Sequence, residues 1–289
     1  MFIKQITPLI LPQHCFIDCF NRPNAFIDTN PSLFIDIEGN VTLLVRSVNY
    51  RKFFDKNFSM YERHSKSLYK IMRGHIDNLH ELSCDIVVVE NNLPTYPTFW
   101  LGLEDIRFID SSTLLITIPS CNKDGNPSIF KAVLTNNTIH SFVECYPNVI
   151  EKNWMPFYDE KTESFKVLYS VDPFTVKSIE NDDRQELNLL DLKGYHGSTN
   201  GVKINDTILF MVHTTLEKVY HRWVLFNPKT NEIKVSDSFV FFNYSYIEFS
   251  CSLCFYNNRL FVSLGVNDDK AFILELNTEK VFKLFYFIK

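Results

Sequence analysis

The chain has 289 residues, 45% of them hydrophobic and 22% charged, a globular balance that allows a large buried core and excludes disorder. Twenty-nine Lys and Arg against 34 Asp and Glu give a net charge of −5, so the positive field that nucleic-acid binding requires is missing and nucleic acid is excluded as the main partner. No apolar run reaches the roughly 18 residues that a membrane-spanning helix needs.

The opening MFIKQITPLILPQHCF carries no charged segment followed by an apolar stretch and a small-residue cleavage site, and the expectation is an unsecreted, cytoplasmic protein. Short β-rich runs then follow one another. Ser32–Ile37 and Thr42–Val48 flank the turn signal Glu38-Gly39-Asn40. Phe58 to Leu82 breaks the rhythm: Tyr61, Leu68, Ile71, Met72, Ile76, Leu79 and Leu82 fall near helical spacing, with Lys66, Lys70 and Arg73 between them, which predicts a helical excursion over about residues 58–82. Further strands are predicted at Ile86–Val89, Ile106–Ile109, Leu114–Ile118, Phe130–Val133, Ile139–Val143 and Phe165–Ser170. The series closes with Ile208–His213, His221–Asn227, Leu260–Leu264 and Ala271–Leu276.

Strands that succeed one another across short Asn, Asp, Gly and Pro turns, without alternating helices, give an all-β class and disfavour a doubly wound α/β sheet. Four-stranded units of about 50 residues divide the chain into five or six blades of a β-propeller, with a sandwich as the alternative. Residues 1–289 are read as one such domain. The seven cysteines, an odd number in apolar settings, read as reduced thiols. Cys251-Ser-Leu-Cys254 has no second pair at zinc-binding spacing, and no histidines stand at metal-ligand spacing, so no metal site is predicted.

Polar residues recur at strand ends: Asn30-Pro31-Ser32, Arg46 with Asn49-Tyr50, Glu104-Asp105-Ile106-Arg107, Glu151-Lys152-Asn153-Trp154, His196-Gly-Ser-Thr-Asn200, His213, Tyr220, Glu248 and Gly265-Val-Asn-Asp268. In a propeller the same end of every inner strand faces the central depression, so groups far apart in sequence converge there. Trp154 is placed to stack on a sugar, and Trp100 and Trp223 read as core. Glu144 in Glu-Cys-Tyr-Pro reads as structural. Glu248 is either a site carboxylate or an acceptor that closes a blade.

This series resembles the five-bladed propellers of glycoside hydrolase family 130, the mannoside phosphorylases, and the related β-mannosyltransferases of protozoan parasites. It resembles still more an uncharacterised propeller module of bacterial glycan-assembly proteins. The likeness runs from about Asn30 to Leu276. Its specific parts are Glu104-Asp-Ile-Arg107, Lys152-Asn153 before an aromatic-Pro-Phe run, His213 followed by Tyr220, and Gly265-Val-Asn-Asp268. The resemblance implies that Asp105 is the acid that protonates the glycosidic oxygen, and that Lys152, Lys166, His213 and Tyr220 bind an anion. It also implies that Arg46, Asn49, Glu104, Arg107, Asn153, Glu248 and Asp268 bind or organise the sugar.

The expected activity is transfer of a hexose, with mannose implied by the resemblance, to or from a phosphate-bearing group. Inorganic phosphate, a sugar 1-phosphate or a nucleotide sugar serves as co-substrate, and no cofactor is needed. One acid suffices for such a displacement, because phosphate is already ionised and replaces base-activated water. Two positions depart from the family: Ile106 replaces a proline, and Lys152 stands where the phosphorylases carry Arg, whose planar fork grips phosphate at two points. The alternatives are a glycan-binding propeller without catalysis and a glycoside hydrolase using Asp105 and Glu248.

Overall fold

The computed structural model describes all residues except 1, 19, 53–57, 61–64, 91, 92, 97, 99, 147–149, 181, 182, 188, 189, 288 and 289, and describes only the backbone of 52, 58–60, 190 and 287. Alternating apolar and polar runs separated by turn residues produce antiparallel meanders, which form five sheets of four or more strands beside two short hairpins, Cys15–Ile17 with Pro23–Ala25 and Tyr50–Lys52 with Phe58–Met60. At the first turn Asp36 accepts hydrogen bonds from the backbone N–H groups of Glu38 and Asn40 at 2.9 and 2.8 Å, while Gly39 takes φ +86°. A left-handed residue there is what Gly supplies without steric cost.

Blade I contains Ile27–Ile35, Asn40–Val48 and Ser65–His75, extended by Ser83–Ile86 and Trp100–Leu101. Blade II contains Glu104–Phe108, Thr113–Ile118, Ser128–Thr135 and Thr138–Glu144, with Val88–Val89 at its edge. Blade III is Met155–Asp159, Ser164–Val171, Phe174–Ser178 and Arg184–Leu187. Blade IV begins with an interrupted strand, His196–Gly197 and Val202–Ile204, followed by Thr207–Thr215, Val219–Asn227, Glu232–Ser236 and Phe285–Phe287. Blade V is Glu248–Tyr256, Arg259–Val266 and Lys270–Leu276, and the N-terminal strand Ile3–Pro8 completes it in antiparallel register from Ile3↔Leu276 to Pro8↔Phe272. The two ends of the chain thus close the ring, and the propeller expectation holds with five blades.

The helix expected over residues 58–82 is a strand. Ser65–His75 pairs with Asn40–Val48 without interruption from Asn40↔His75 to Val48↔Ser67, and one 3₁₀ turn, Ile76–Asn78, follows it. Tyr69, Lys70, Ile71 and Met72 are all buried, because neighbouring blades cover both faces of the sheet. A strand buried on both faces loses its alternation, and its continuous apolar run imitates helical spacing. Lys70, which reads as part of a basic helix face, is fully buried and lies 2.8 Å from Asp28. Part of the expected segment, residues 61–64, lies outside the described residues. Thr278–Phe282 is the one α-helix among the described residues.

Apolar clusters fill the spaces between blades. Leu209, Met211 and Trp223 of blade IV pack on Leu253, Val262 and Leu274 of blade V. Leu44 and Ile71 of blade I pack on Ile106, Leu114 and Ile116 of blade II. The first strands of the blades meet one another at the centre, and most of them are irregular there. Pairing slips by one residue between Thr29 and Pro31, between Glu104 and Arg107, and between Ser250 and Ser252. Such bulges turn a side chain out of the regular alternation. Here they release Asn30, Asp105 and Cys251, two of which, Asn30 and Asp105, take φ +42°.

Candidate functional site

A cavity of about 650 Å³ opens at the end of the propeller where these bulges lie, lined by Asn30, Arg46, Glu104, Asp105, His213, Glu248 and Phe249 below and by Arg51, Trp100, Leu216, Tyr246 and Asp268 around the rim. Its residues come from blades I, II, IV and V. The convergence predicted for strand ends is therefore observed for Arg46, Glu104, Asp105, His213, Glu248 and Asp268.

Asp105 occupies the bulge of blade II in a left-handed conformation. A non-glycine residue held there stores on the order of 1–3 kcal/mol of strain, which the surrounding structure must offset. Its Oδ1 is buried and has no hydrogen-bond partner among the described residues. Arg107 lies beneath it rather than in the cavity. The guanidinium is 2% exposed; Nε donates to the carbonyl of Ser198 at 2.6 Å, Nη1 lies 3.3 Å from the carbonyl of Asp105, and Nη2 is buried without a partner among the described residues. Burial pushes its pKa down and the Asp105 carboxylate opposes that fall.

Arg46 and Glu104 form the next feature of the floor, an ion pair of 2.6 Å between blades I and II, and Arg46 Nε also donates to Ser67 Oγ at 2.9 Å. Burial works against the Arg46 charge, but Glu104, Tyr50, Tyr69 and Asp105 more than compensate and hold its pKa well above the ordinary value. Beside this pair Tyr50 meets Trp100 edge to face, with centroids 5.4 Å apart. Burial pushes the Tyr50 hydroxyl up to about 12, so it remains a protonated donor.

His213 stands on the blade IV side of the cavity. Its Nδ1 lies 2.7 Å from Ser198 Oγ, and its ring meets Phe249 edge to face at 5.3 Å. Burial is the largest cause, with His221, His196, Arg107 and Lys152 adding to it, of a pKa lowered to about 3. The ring is therefore neutral at physiological pH. Lys152 is exposed and is not among the cavity-lining residues, but it is close enough for its charge to act on His213, which is. The chain reaches that point through Asn153 in a left-handed conformation, with Gly197 tucked against it: a Cβ on Gly197 would lie 2.1 Å from the Asn153 carbonyl oxygen. Only glycine permits that approach.

Several predicted site residues are not brought to the cavity. Lys166 sits opposite Phe157, further down blade III, and forms a 2.8 Å ion pair with Asp159. Tyr220 is one residue out of phase with His221, which faces His213 across the sheet, so it projects from the other side and bonds Glu217. Asn49 is buried and accepts the backbone N–H of Lys66 at 2.6 Å, fixing a strand edge. Asn153 shapes the backbone beside Gly197 and is not among the cavity-lining residues.

Glu248 touches the cavity, but both its oxygens are engaged. Oε2 accepts from Phe241 N and Oε1 from Phe242 N, each at 2.7 Å; Ser245 Oγ also donates to Oε1, and His221 Nε2 lies 3.5 Å from Oε2. Burial would raise its pKa, but these donors outweigh burial and lower it. Of the two roles open in the sequence, this geometry is that of the blade-closing acceptor.

The tryptophans exchange their expected places. Trp154 is 1% exposed and donates to Glu151 at 2.8 Å between the rings of Tyr146 and Tyr169, while Trp100 lines the cavity. Trp223 is core as expected. Ser198, which joins Arg107 to His213, carries no expectation from sequence beyond its membership of the strand-end series. The signal available there was a Gly followed by small polar residues within a strand pattern, which marks an interruption but not a partner. Among the described residues no group of three or more His, Cys, Asp or Glu side chains is arranged to hold a metal ion, and no helix is long and apolar enough to cross a membrane.

No family model and no curated relative matches the chain. Solved structures do. A β-1,2-mannobiose phosphorylase from Listeria innocua, in complex with β-1,2-mannobiose, superposes with a TM-score of 0.63 at 14% identity, covering 90% of this chain and 92% of that one. A structure from the family 130 mannoside phosphorylases, described with hydrolases that target β-1,2 mannosidic linkages in Candida mannan, gives a TM-score of 0.59 at 11% identity over 92% and 89% of the two chains. A family 43 β-xylosidase/α-arabinofuranosidase from a compost metagenome, in complex with xylotriose, gives 0.58 at 10% identity over 86% and 91%. The chain is a five-bladed β-propeller similar in structure to family 130 mannoside phosphorylases and family 43 glycosidases, at low sequence identity.

Proposed function

We propose that the protein is a carbohydrate-active enzyme that transfers a hexose to or from a phosphate-bearing group, with Asp105 as the general acid. The observation that carries this reading is the Asp105 carboxyl itself: at the cavity in a bulge, held in left-handed backbone, and with a buried oxygen that has no hydrogen-bond partner among the described residues. Buried polar atoms are rarely left unpaired, and those that are point to a partner the protein alone does not supply. On this reading the Asp105 carboxyl gives a proton to the oxygen of the departing sugar.

Transfer involving an anion is the reading we favour over hydrolysis by Asp105 with Glu248. Activating water requires a free second carboxylate, and Glu248 has committed its oxygens to Phe241, Phe242 and Ser245. The Lys152 charge and the neutral His213 ring offer donors to a phosphate oxygen instead. The anion site is smaller than the sequence suggests, without Lys166 and Tyr220, which suits one phosphoryl group. On this reading Arg46, Glu104, Trp100 and Asp268, which line the cavity, hold the sugar by paired polar contacts and an aromatic wall.

The test is a product screen of the purified protein with inorganic phosphate, hexose 1-phosphates and nucleotide sugars, each with a panel of acceptor glycosides. Phosphate release or consumption is expected, and Asp105→Asn is expected to reduce it by about 10²–10⁴-fold, the contribution of a general acid. Saturable sugar binding without turnover under any pairing would overturn the assignment in favour of a glycan-binding propeller.

A further inference from the structure

The interrupted first strand of blade IV is a hub. Gly197 packs on the blade III loop at Asn153. Ser198 N donates to Met155 Sδ, its carbonyl accepts from Arg107 of blade II, and its hydroxyl bonds His213. Thr199 accepts from Met211 N at 3.1 Å. Asn200 gives its side-chain amide to the backbone of Leu253 in blade V, donating to the carbonyl at 3.0 Å and accepting from the N–H at 2.9 Å, as a neighbouring strand would. Within this hub Ser198 alone joins the two sides of the cavity.

We infer that Ser198 is a positioning residue of the site: its hydroxyl donates to His213 Nδ1, so that the ring presents Nε2–H to the cavity, and its carbonyl anchors the guanidinium that underlies Asp105. The direction of the first bond follows from an account of protons. Ser198 is fully buried, and among the described residues its hydroxyl has His213 Nδ1 as its hydrogen-bond partner. Were Nδ1–H the donor, the hydroxyl proton would be buried without an acceptor; with the hydroxyl donating, that proton is satisfied and the ring keeps its own proton on Nε2. Burial and the charges of Arg107 and Lys152 keep the ring neutral, so only these two tautomers compete.

The consequence rests on the reading of the cavity as a site for a phosphate-bearing substrate. A neutral imidazole whose lone pair faced the cavity would repel a phosphate oxygen, whereas Nε2–H donates to it. The same residue that sets this tautomer also holds Arg107 at 2.6 Å. Acid and anion-binding sides of the site are therefore assembled through one buried serine.

The experiment is ¹⁵N NMR of the His213 ring, whose nitrogen shifts separate the two neutral tautomers, in the wild type and in Ser198→Ala, each titrated with inorganic phosphate. The expected result is Nε2–H in the wild type, a mixture of tautomers in Ser198→Ala, and phosphate binding weaker by about tenfold, the loss of one hydrogen-bond arrangement. An Nδ1–H wild type overturns the inference, as does a folded Ser198→Ala with tautomer and affinity unchanged. The wild-type spectrum decides even where the variant does not fold. Phosphate binding to neither protein, with the ring in the Nε2–H form, refutes the phosphate reading of the cavity and leaves the role of Ser198 intact.

Discussion

Arg107 Nε donates to the carbonyl of Ser198 across the centre of the propeller, from blade II to blade IV, at 2.6 Å. The guanidinium has almost no aqueous surface to spread its charge on, and its Nη2 has no acceptor among the described residues. A buried cation with an unpaired donor is costly unless an opposite charge stands near it. That charge is the half-buried Asp105 carboxylate, which supports the Arg107 charge and whose own Oδ1 has no hydrogen-bond partner among the described residues. The two residues are linked through the Asp105 carbonyl, which accepts from Arg107 Nη1 at 3.3 Å, and Ser198 holds the guanidinium from below.

Asp105→Gly separates the cost of this arrangement from its use. At φ +42° a side chain is strained and glycine is not. The substitution also removes the carboxylate that opposes the buried Arg107 charge, and Asp105→Asn removes that charge without changing the backbone preference. We expect Asp105→Gly to be about 1 kcal/mol more stable than Asp105→Asn, measured by urea unfolding, while both lose turnover. Equal stability of the two variants would show that the left-handed backbone carries no strain. Full activity in either would remove Asp105 from the chemistry.

The pH dependence of stability follows from His213. Its folded pKa is about 3 and its unfolded pKa is about 6.5, so between these values the unfolded chain binds more protons. Stability therefore rises with pH across that window, is fully present above about 6.5, and is lost as pH falls. The slope approaches one proton, about 1.4 kcal/mol per pH unit. Glu248, with a lowered folded pKa, adds loss of the same sign only below about 4.5, near its unfolded value. Asp269, whose pKa burial raises, contributes with the opposite sign at the lower end of this range, so the His213 contribution from pH 4.5 to 6.5 is read as the difference between wild type and His213→Gln. His213→Gln should flatten the profile there; a profile unchanged by the substitution would show that His213 is not the group titrating.

Lys152 and Lys166 give a direct comparison, since both are implied by the resemblance and only one is near the cavity. Lys152 acts electrostatically on His213, whereas Lys166 is ion-paired to Asp159 further down its blade. Lys152→Met should weaken inorganic phosphate binding by about tenfold, as expected for the loss of a charge-assisted contact worth roughly 1.4 kcal/mol. Lys166→Met should change it less than about twofold, because Lys166 is ion-paired to the buried Asp159 and does not line the cavity. Isothermal titration with phosphate measures both. Equal losses would place Lys166 in the anion site after all.

These residues also show how far the sequence could be read. The recurrence of strands and turn signals gives an all-β chain of five or six units, while the choice of five blades and of Asp105 comes from the resemblance carried by Glu104-Asp-Ile-Arg107 and the other strand-end motifs. The strand over Ser65–His75 was hidden because burial on both faces erases the period that separates strand from helix. Lys166 and Tyr220 lie away from the cavity for another reason. The side of a strand and the distance along it are set by pairing with a neighbour, opposite Phe157 for Lys166 and opposite Thr214 for Tyr220, and the residue types alone do not carry that register. Ser198 was unassignable because its partners, Arg107 and His213, come from opposite sides of a ring that exists only after closure.

Trp100 and Trp154 provide the last prediction, and it reverses the expectation drawn from their neighbours in sequence. Trp154 follows Lys152 and Asn153, but its indole points inward, bonds Glu151 at 2.8 Å and fills a pocket between two tyrosines. Trp100 is half-buried, sits at the blade I edge and forms cavity wall with Tyr50. Trp154→Ala should therefore cost about 3–5 kcal/mol, the usual loss for a buried large aromatic, with its hydrogen bond to Glu151 lost as well. Trp100→Ala should leave stability within about 1 kcal/mol, because far less of its surface is withdrawn from water. It should instead weaken glycoside binding by about tenfold, roughly the 1.4 kcal/mol of a stacking or edge contact with a sugar face. Paired urea unfolding and glycoside titrations separate these effects. If Trp154→Ala keeps its stability and loses glycoside binding, the wall of the cavity lies on blade III, and the site must be redrawn around Lys152.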